Sequence, residues 1–366
     1  VMTSFNTVNG IPATGNKKLM RGILRDEMGF DGVLISDWAA IEETIYHGYC
    51  ADKEDAAIRA VEAGVDIDMM TGIYCDNLCR LVREGKIPES LVDECCMRIL
   101  ELKNKLGLFE NPYKDADEEK EQQLILCKEH RELAREAARK SFVLLKNEEQ
   151  ILPLDKTKKT AFIGPYVNSR NLMGSWSIIG EAKDITTVEE TMAVEEAGNN
   201  VVCCQGSPML GAEVILEGFT EENQAIYTPE EEARMLEEAL EAAKKADQVV
   251  LFIGEDRLQS GEATSNATIQ IPQIQQNLLE RVAEINENIA VVLFSGRPLD
   301  LRDVQVKAKA ILEVWMPGTE GAGAITDVLY GRYNPTGKLP MSFPYCVGQV
   351  PVHYNEYATG RPHVEG

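Results

Sequence analysis

The chain has 366 residues, 44% hydrophobic and 27% charged, with 60 acidic against 37 basic side chains and a formal net charge of -23. So acidic a balance argues against nucleic acid, whose phosphates need basic patches, and against anionic membrane surfaces. The length suits roughly two or three domains. No run of the sequence approaches the roughly eighteen consecutive apolar residues that a membrane-spanning helix needs.

The chain opens at Val1-Met2-Thr3-Ser4, which reads as a strand with no initiator methionine, basic leader or signal-like segment ahead of it. It is expected to be the later part of something longer. A polar loop, Asn9-Gly10-Ile11-Pro12, leads to a helix-like segment over Lys17–Met28. Next comes Gly32-Val33-Leu34-Ile35-Ser36-Asp37-Trp38, an apolar run without alternation, as expected of a parallel strand buried on both faces. A carboxylate at the carboxyl end of such a strand stands where barrel enzymes place catalytic groups. The plainer alternative is that Asp37 caps the helix beginning near Ala39. A helix follows over Asp52–Ala63, closed by Gly64, then a strand over Val65–Met70. A helix over Glu89–Leu106 carries Val92, Cys95, Cys96, Ile99 and Leu102 at helical spacing. No element is assigned between Met70 and that helix. Residues 1–108 thus read as three β–α units, too few to close a barrel, which takes eight and about 250 residues.

Residues 109–130 read as an interdomain linker: Asn111-Pro112 breaks the helical pattern and Lys114–Gln123 is densely charged with no apolar face. It runs into a helix expected over Cys127–Lys146. From 131 to 366 a second α/β pattern appears, with apolar runs Thr160–Gly164, Val249–Gly254, Ala290–Gly296 and Ala310–Gly318, each ending in glycine. A helix from Thr228 has Pro229 in its first turn and Glu231 placed for a capping box. This repetition predicts a doubly wound parallel sheet presenting loops at its carboxyl edge. The tail from Asn334 reads as irregular and surface-packed.

Several motifs lead nowhere. Gly318-Thr-Glu-Gly321-Ala-Gly323 has the wrong spacing for a dinucleotide loop, and Gly331…Gly337-Lys338 lacks the hydroxyl a phosphate loop needs, having Leu339 there. Asp66-x-Asp68 has no third ligand at suitable spacing and reads as structural. The nine cysteines include no Cys-x-x-Cys pair, and His47, His130, His353 and His363 do not fall at zinc-ligand spacing. Reduced, buried thiols and a cytoplasmic setting are expected, with periplasm or secretion as alternatives.

The informative loop is Gly254-Glu255-Asp256-Arg257-Leu258-Gln259-Ser260-Gly261-Glu262-Ala263-Thr264-Ser265-Asn266, polar throughout and placed where the strand over Val249–Ile253 ends. It is either a solvated acidic loop or the source of a carboxyl partner for Asp37. Two carboxyl groups in unlike environments are what glycosidic-bond cleavage requires. Sugars also call for aromatic platforms. Of the three tryptophans, Trp38 adjoins Asp37 and Trp176 sits in a loop; Trp315 reads as core.

The chain resembles the family 3 glycoside hydrolases, in particular their bacterial β-glucosidases, over essentially all its length. The motifs are Met2-Thr-Ser-Phe-Asn6 with Asn9-Gly10, Gly29-Phe-Asp-Gly32 through Ser36-Asp37-Trp38, Ala63-Gly64-Val65-Asp66, and Val143-Leu-Leu-Lys-Asn147 with Leu152-Pro153-Leu154. Gly174-Ser-Trp176, Pro317-Gly-Thr-Glu-Gly321 and Asn334-Pro-Thr-Gly-Lys-Leu-Pro340 complete the set.

The resemblance implies the last three β–α units of a (β/α)8 barrel followed by an α/β sandwich domain. Asp37 then matches the nucleophile and Glu262 the acid/base; Trp38, Trp176, Phe5 and Met2 are the candidate substrate-binding residues. No metal or cofactor is implied. Three departures stand out. Phe5 replaces a tyrosine that contacts the nucleophile in many members. Asn266 and Thr268 replace an arginine and an aspartate common after the acid/base. The first five barrel strands, which hold the sugar, are absent, as is an immunoglobulin-like domain often found after the sandwich. The expected activity is a retaining β-glucosidase acting on a β-linked oligosaccharide or glycoside. It would need a complementary amino-terminal barrel fragment or chain, with no nucleic acid or membrane involved. The alternatives are a β-xylosidase or a non-catalytic fragment. Glu255 is the reserve candidate for the acid/base.

Overall fold

The computed structural model describes the chain except for residues 178–179, 196–199, 212–226, 263, 356, 358–359 and 361–366. The fold consists of two compact units, Val1–Glu119 and Lys120–Gly366.

In the first unit a short hairpin pairs β1 (Thr7–Val8) with β2 (Ile11–Pro12) around Asn9-Gly10, both at positive φ. Asn-Gly is the pair that such a two-residue turn favours, so the expected polar loop is a hairpin. A ten-residue π-helix, Lys18–Glu27, occupies most of the expected helix. From it Arg21 Nε reaches Glu62 O (2.7 Å) and Arg25 Nη2 reaches Gly64 O (2.9 Å). Four α-helices follow: α1 (Ala40–Tyr46), α2 (Lys53–Ala63), α3 (Ile73–Arg83) and α4 (Glu89–Lys105). Asp52 caps α2 by accepting from Asp55 N (2.9 Å), and Gly64 ends it in the left-handed conformation. Helix α3 was not expected, although Ile73, Tyr74 and Leu81 form its buried face.

The three expected strands of this unit are far slighter than predicted. Val1–Ser4, Gly32–Asp37 and Val65–Met70 lie side by side and parallel, but each neighbouring pair forms a single ladder bridge, Met2 with Ile35 and Ile35 with Ile67. The physical reason lies with Asp66. Its carboxylate, rather than a ladder carbonyl, takes the amide of Leu34 (2.8 Å), while its own amide goes to Leu34 O (2.7 Å). The ladder is therefore closed by a side chain where a strand would have continued. Leu34, Ile41, Val61, Ile73 and Leu81 pack into one core between these segments and the helices.

Within 109–130, a helix, α5 (Glu118–Leu124), spans the division between the units. Helix α6 (Lys128–Ser141) stops earlier than expected because Phe142 is extended. Val143–Asn147, whose first four residues were expected to be helical, is instead strand β3. The strands β4 (Thr160–Ile163), β5 (Val201–Cys204), β6 (Gln248–Gly254), β7 (Ile289–Phe294) and β8 (Ala310–Glu313) complete a six-stranded sheet of order β3-β8-β7-β6-β4-β5. All neighbours are parallel except β3, which runs antiparallel to β8. The sheet is thus mixed rather than wholly parallel.

Alternation along the central strands assigns side chains to two faces. Phe162, Val250, Phe252, Val292, Phe294 and Leu312 point into one core, beneath α6, α7 (Val188–Val194) and α11 (Gly321–Leu329). Ile163, Val249, Leu251, Ile253, Val291 and Leu293 point into the other, beneath α8 (Pro229–Lys245), α9 (Gln273–Ala283) and α10 (Arg302–Lys307). Burial on both faces explains why β6 and β7 read as unbroken apolar runs. Helix α8 begins with the expected capping box: Glu231 N donates to Thr228 Oγ1 (3.2 Å) and Thr228 N to Glu231 Oε2 (2.8 Å). Trp315, expected in the core, is half-buried at the margin, tilted against Phe343 and bonded through Nε1 to Ser141 O (3.2 Å).

Candidate active site

Asp37 follows directly on the middle of the three parallel segments. Ser36 before it is fully buried and doubly held: its amide donates to Ile67 O (2.9 Å) and its Oγ accepts from Met69 N (2.8 Å). On the other side Ile35 N donates to Val1 O (3.0 Å) and Thr3 N to Ile35 O (2.9 Å). Asp37 itself is half-buried, and its Oδ1 accepts from Trp38 N (2.7 Å). It does not cap α1. The residue before that helix is Ala39, at φ 56°, and no side chain bonds to the first turn. The capping alternative is therefore overturned, because the chain bends through Ala39 between the carboxylate and the helix.

Trp38 is 60% exposed and Met2 49% exposed. Phe5 is half-buried, and His47 Nε2 donates to its carbonyl (3.2 Å). All belong to the first unit, and backbone bonds link the segment of Met2 to that of Asp37.

In the second unit the loop after β6 separates its carboxylates sharply. Glu255 is 1% exposed. Its Oε1 lies 3.2 Å from Arg297 Nε and 3.3 Å from Asn266 Nδ2, and its Oε2 accepts from Gly296 N (3.4 Å). Burial raises its carboxyl above the ordinary range, opposed by the Arg297 charge and the hydrogen bonds of Gly296 and Asn266. Asp256 is also buried and raised by burial; its Oδ1 accepts from Leu258 N (2.9 Å). Glu262, by contrast, is exposed. Among the described residues only its carbonyl is engaged, accepting from Thr264 Oγ1 (3.1 Å). Ala263 beside it lies outside the described residues.

The loop carrying Trp176 reaches this one. A Cβ built on Gly261 would stand 2.4 Å from Ser175 Oγ, so the backbone before Glu262 passes directly over the residue before Trp176. The indole is 67% exposed. The Trp176 loop is anchored in turn to the chain leaving β8: Gly318 N donates to Leu172 O (2.8 Å). Glu262 and Trp176 are thus brought onto neighbouring loops by three strands whose order the sequence does not state. A groove of about 790 Å³ beside β3, lined in part by Lys146, Arg302, Phe343 and Tyr345, contains none of these residues.

Two buried or half-buried charged side chains beside this loop escaped the sequence reading. Arg297 follows β7 and Glu313 ends β8. Because Gly254 registers with Phe294 in the parallel pair, Glu255 necessarily stands beside the residues that follow Phe294. The signal was a charged residue just past each of two adjacent buried strands. Glu313 is completely buried; its Oε1 accepts from Trp315 N (2.7 Å) and its Oε2 from Ser295 Oγ (3.3 Å). Burial pushes its carboxyl up to about 8, against those two hydrogen bonds, with the Glu255 charge adding to the rise.

Among known proteins, residues 1–102 match the glycosyl hydrolase family 3 N terminal domain and residues 142–366 the family 3 C-terminal domain. A periplasmic β-glucosidase of Salmonella typhimurium is 40% identical over 99% of this chain and 48% of its own length. A β-xylosidase of Formosa agariphila is 33% identical over 97% of the chain and 48% of its own length. The crystal structure of a β-glucosidase from Listeria innocua with isofagomine superposes with a TM-score of 0.87. It is 42% identical over the whole chain, which covers 48% of that protein. The chain spans about half the length of these relatives. On both matched domains, it belongs to glycoside hydrolase family 3.

Proposed function

We propose that the chain supplies the two catalytic carboxyl groups of a retaining β-glucosidase releasing terminal, non-reducing β-D-glucosyl residues from oligosaccharides or glycosides. The observation that carries this reading is the contrast within one loop of a family 3 chain. Glu255 and Asp256 are buried and engaged, while Glu262, seven residues after Glu255, is exposed, its carboxyl bonded to no side chain or amide among the described residues. Asp37, ending a parallel segment with one carboxylate hydrogen bond, is the second group.

In the first step an Asp37 oxygen attacks the anomeric carbon while the bond to the leaving oxygen breaks. Glu262 gives that oxygen its proton. In the second, water loses a proton to Glu262, its oxygen attacks the same carbon, and the bond to Asp37 breaks. Two inversions give net retention. Retention requires the carboxyl groups to come within about 5–5.5 Å of each other in the sugar-bound enzyme. Trp38 and Trp176 suit the apolar faces of the sugar beyond the cleaved bond, with Met2 and Phe5 beside Asp37 as further substrate contacts.

We infer further that residues 1–108 are the last part of a (β/α)8 barrel and residues 131–366 a sandwich domain, joined through 109–130. Support for this comes from the order and parallel sense of the three segments in the first unit and from the share of the relatives that the chain spans. Catalysis would then need a complementary barrel segment carrying the sugar-holding groups. All nine cysteines are free, which supports a reducing, cytoplasmic setting; the Salmonella relative is named periplasmic. No helix among the described residues is long and apolar enough to cross a membrane.

The test is to follow the anomer first released from an aryl β-glucoside by proton NMR, using the 366-residue chain alone and with an amino-terminal barrel fragment of a family member. β-Glucose appearing first, and only with the fragment, is expected; α-glucose first would remove Asp37 as nucleophile. Ordinary turnover by the chain alone would remove the need for the fragment. The β-xylosidase reading has one observation in its favour, the Formosa relative; a preference for aryl β-xylosides would support it.

A further inference from the structure

The loop that carries Glu262 is long and polar, yet its two ends are tied together. It leaves β6 at Glu255 and returns at Asn266. Asn266 Nδ2 lies 3.3 Å from Glu255 Oε1 and donates also to Gln259 O (3.1 Å), so one amide group joins the beginning, middle and end of the loop. Arg297, arriving from the neighbouring strand, sets its Nε 3.2 Å from Glu255 Oε1 and donates through Nη2 to the same Gln259 carbonyl. Gln259 answers from inside the loop: its Oε1 accepts from Asp256 N (2.8 Å) and its amide donates to Asp256 O (2.9 Å). Close packing completes the clasp. A Cβ on Gly296 would sit 1.8 Å from Ser260 Oγ, so the loop lies directly on the chain leaving β7. Glu262 stands just past this closed neck, its own carboxyl unengaged among the described residues.

We propose that Glu255, Asn266 and Arg297 are positioning residues that close the neck of this loop and so fix where the Glu262 carboxyl is presented. This rests on Glu262 being the acid/base of the proposed glycosidase. The sequence has asparagine at 266 where an arginine is common in the family. The structure gives that asparagine a bridging task, with the cationic partner of Glu255 supplied by Arg297. Charge decides which replacements work. A donor at 266 is needed between a carboxylate and a carbonyl, and a second carboxylate there would repel Glu255, whose side chain is itself buried.

A misplaced acid is felt only where the leaving group needs its proton. The experiment compares Asn266→Gln, Asn266→Ala, Asn266→Asp and Glu255→Gln with the parent in the active, barrel-completed enzyme. Two substrates are used: a dinitrophenyl β-glucoside, which departs unaided, and cellobiose, which does not. The loss in kcat/KM on cellobiose should exceed that on the aryl substrate by about tenfold for Asn266→Ala. It should be larger for Asn266→Asp and smaller for Asn266→Gln, which keeps a donor. Equal losses on both substrates would make these residues merely structural and overturn the proposal, as would no loss on either.

Amide hydrogen exchange on the 366-residue chain gives an answer independent of activity. In Asn266→Ala, amides 256–262 should exchange at least tenfold faster while Val249–Ile253 keep their protection. Unchanged exchange in the loop would refute the clasp. If the completed parent enzyme cleaves no glycoside, the functional reading fails, and the exchange result still decides whether the clasp exists.

Discussion

Asp37 and Glu262 are carried by two very different pieces of β-structure, Asp37 at the end of a parallel segment and Glu262 on the loop after β6. In the second unit the described strands share a continuous six-stranded ladder whose central members are buried on both faces, and side chains such as Gln275, which bonds the amide and carbonyl of Gly254, complete only strand ends. In the first unit three parallel segments touch through single bridges. The backbone there is completed by side chains: Asp66 takes the Leu34 amide and Ser36 the Met69 amide. Where the ladder is thin, the site depends on charged and hydroxyl groups behind it. Where the ladder is thick, the strands are secure and placement passes to the loop. The two carboxyl groups of the proposed site are thus supported from behind at Asp37 and from the side at Glu262.

The sharpest way to break this comparison is at the carboxylate without a substitute. Asp37→Ala should cost on the order of 10⁴-fold or more in turnover of the completed enzyme, even with an activated aryl leaving group. Steady-state kinetics would show it, while the urea midpoint should hardly move, because a half-buried carboxylate with one local hydrogen bond carries little of the fold. Asp66 should behave in the opposite way. Its buried carboxylate joins Arg25 Nη2 (2.8 Å), Arg98 Nη1 (2.9 Å) and the Leu34 amide. Removing it strands two cations, and Asp66→Ala should lower stability by about 3–5 kcal/mol. Urea unfolding of the isolated chain, followed by exchange of the Leu34 amide, checks this.

How much of this was legible beforehand follows the same division. The strands of the second sheet could be read because burial on both faces leaves an unbroken apolar run, as in Val249–Ile253. Strand β3 could not, because Val143-Leu-Leu following a helix carries no mark of where the helix stops. Phe142 turning extended is settled by pairing with β8, a tertiary fact. Strand β5, Val201–Cys204, is an edge of four residues with too little pattern to count. In the first unit the apolar runs were visible, but the role of Asp66 in replacing a ladder carbonyl was not. Asp37 was marked by its place at the end of an unbroken apolar run, whereas Glu262 was singled out within its loop through the family motifs. Arg297 and Glu313 were missed because their partners depend on strand order, which composition and spacing do not encode.

A pH-dependent effect should be seen at Glu313, buried at the ends of β7 and β8. Its carboxyl is pushed up to about 8, against an ordinary value of 4.5 when unfolded. Between those values the folded chain holds a proton that the unfolded chain has lost. Stability therefore falls as pH rises across this window, by at most about 1.4 kcal/mol per pH unit, and levels off above about 8. Glu313→Gln, neutral at every pH, should remove that slope. Urea midpoints of parent and variant from pH 5 to 8 measure it. Smallest of all should be Trp176→Ala, which removes an exposed ring from a loop anchored elsewhere. A rise in KM of roughly fivefold, about 1 kcal/mol, is expected with little change in kcat for the aryl substrate.

The central claim is that Asp37 bonds to the sugar, and covalent trapping tests it most directly. The completed enzyme is incubated with a dinitrophenyl 2-deoxy-2-fluoro-β-glucoside, which slows the second step more than the first, then digested and sequenced by mass spectrometry. The account predicts one fluoroglucosyl group per chain, on Asp37 in the peptide containing Gly32–Trp38, and no labelling in Asp37→Ala. A label on any other carboxylate, or turnover of ordinary substrates with no trapped intermediate, would contradict it.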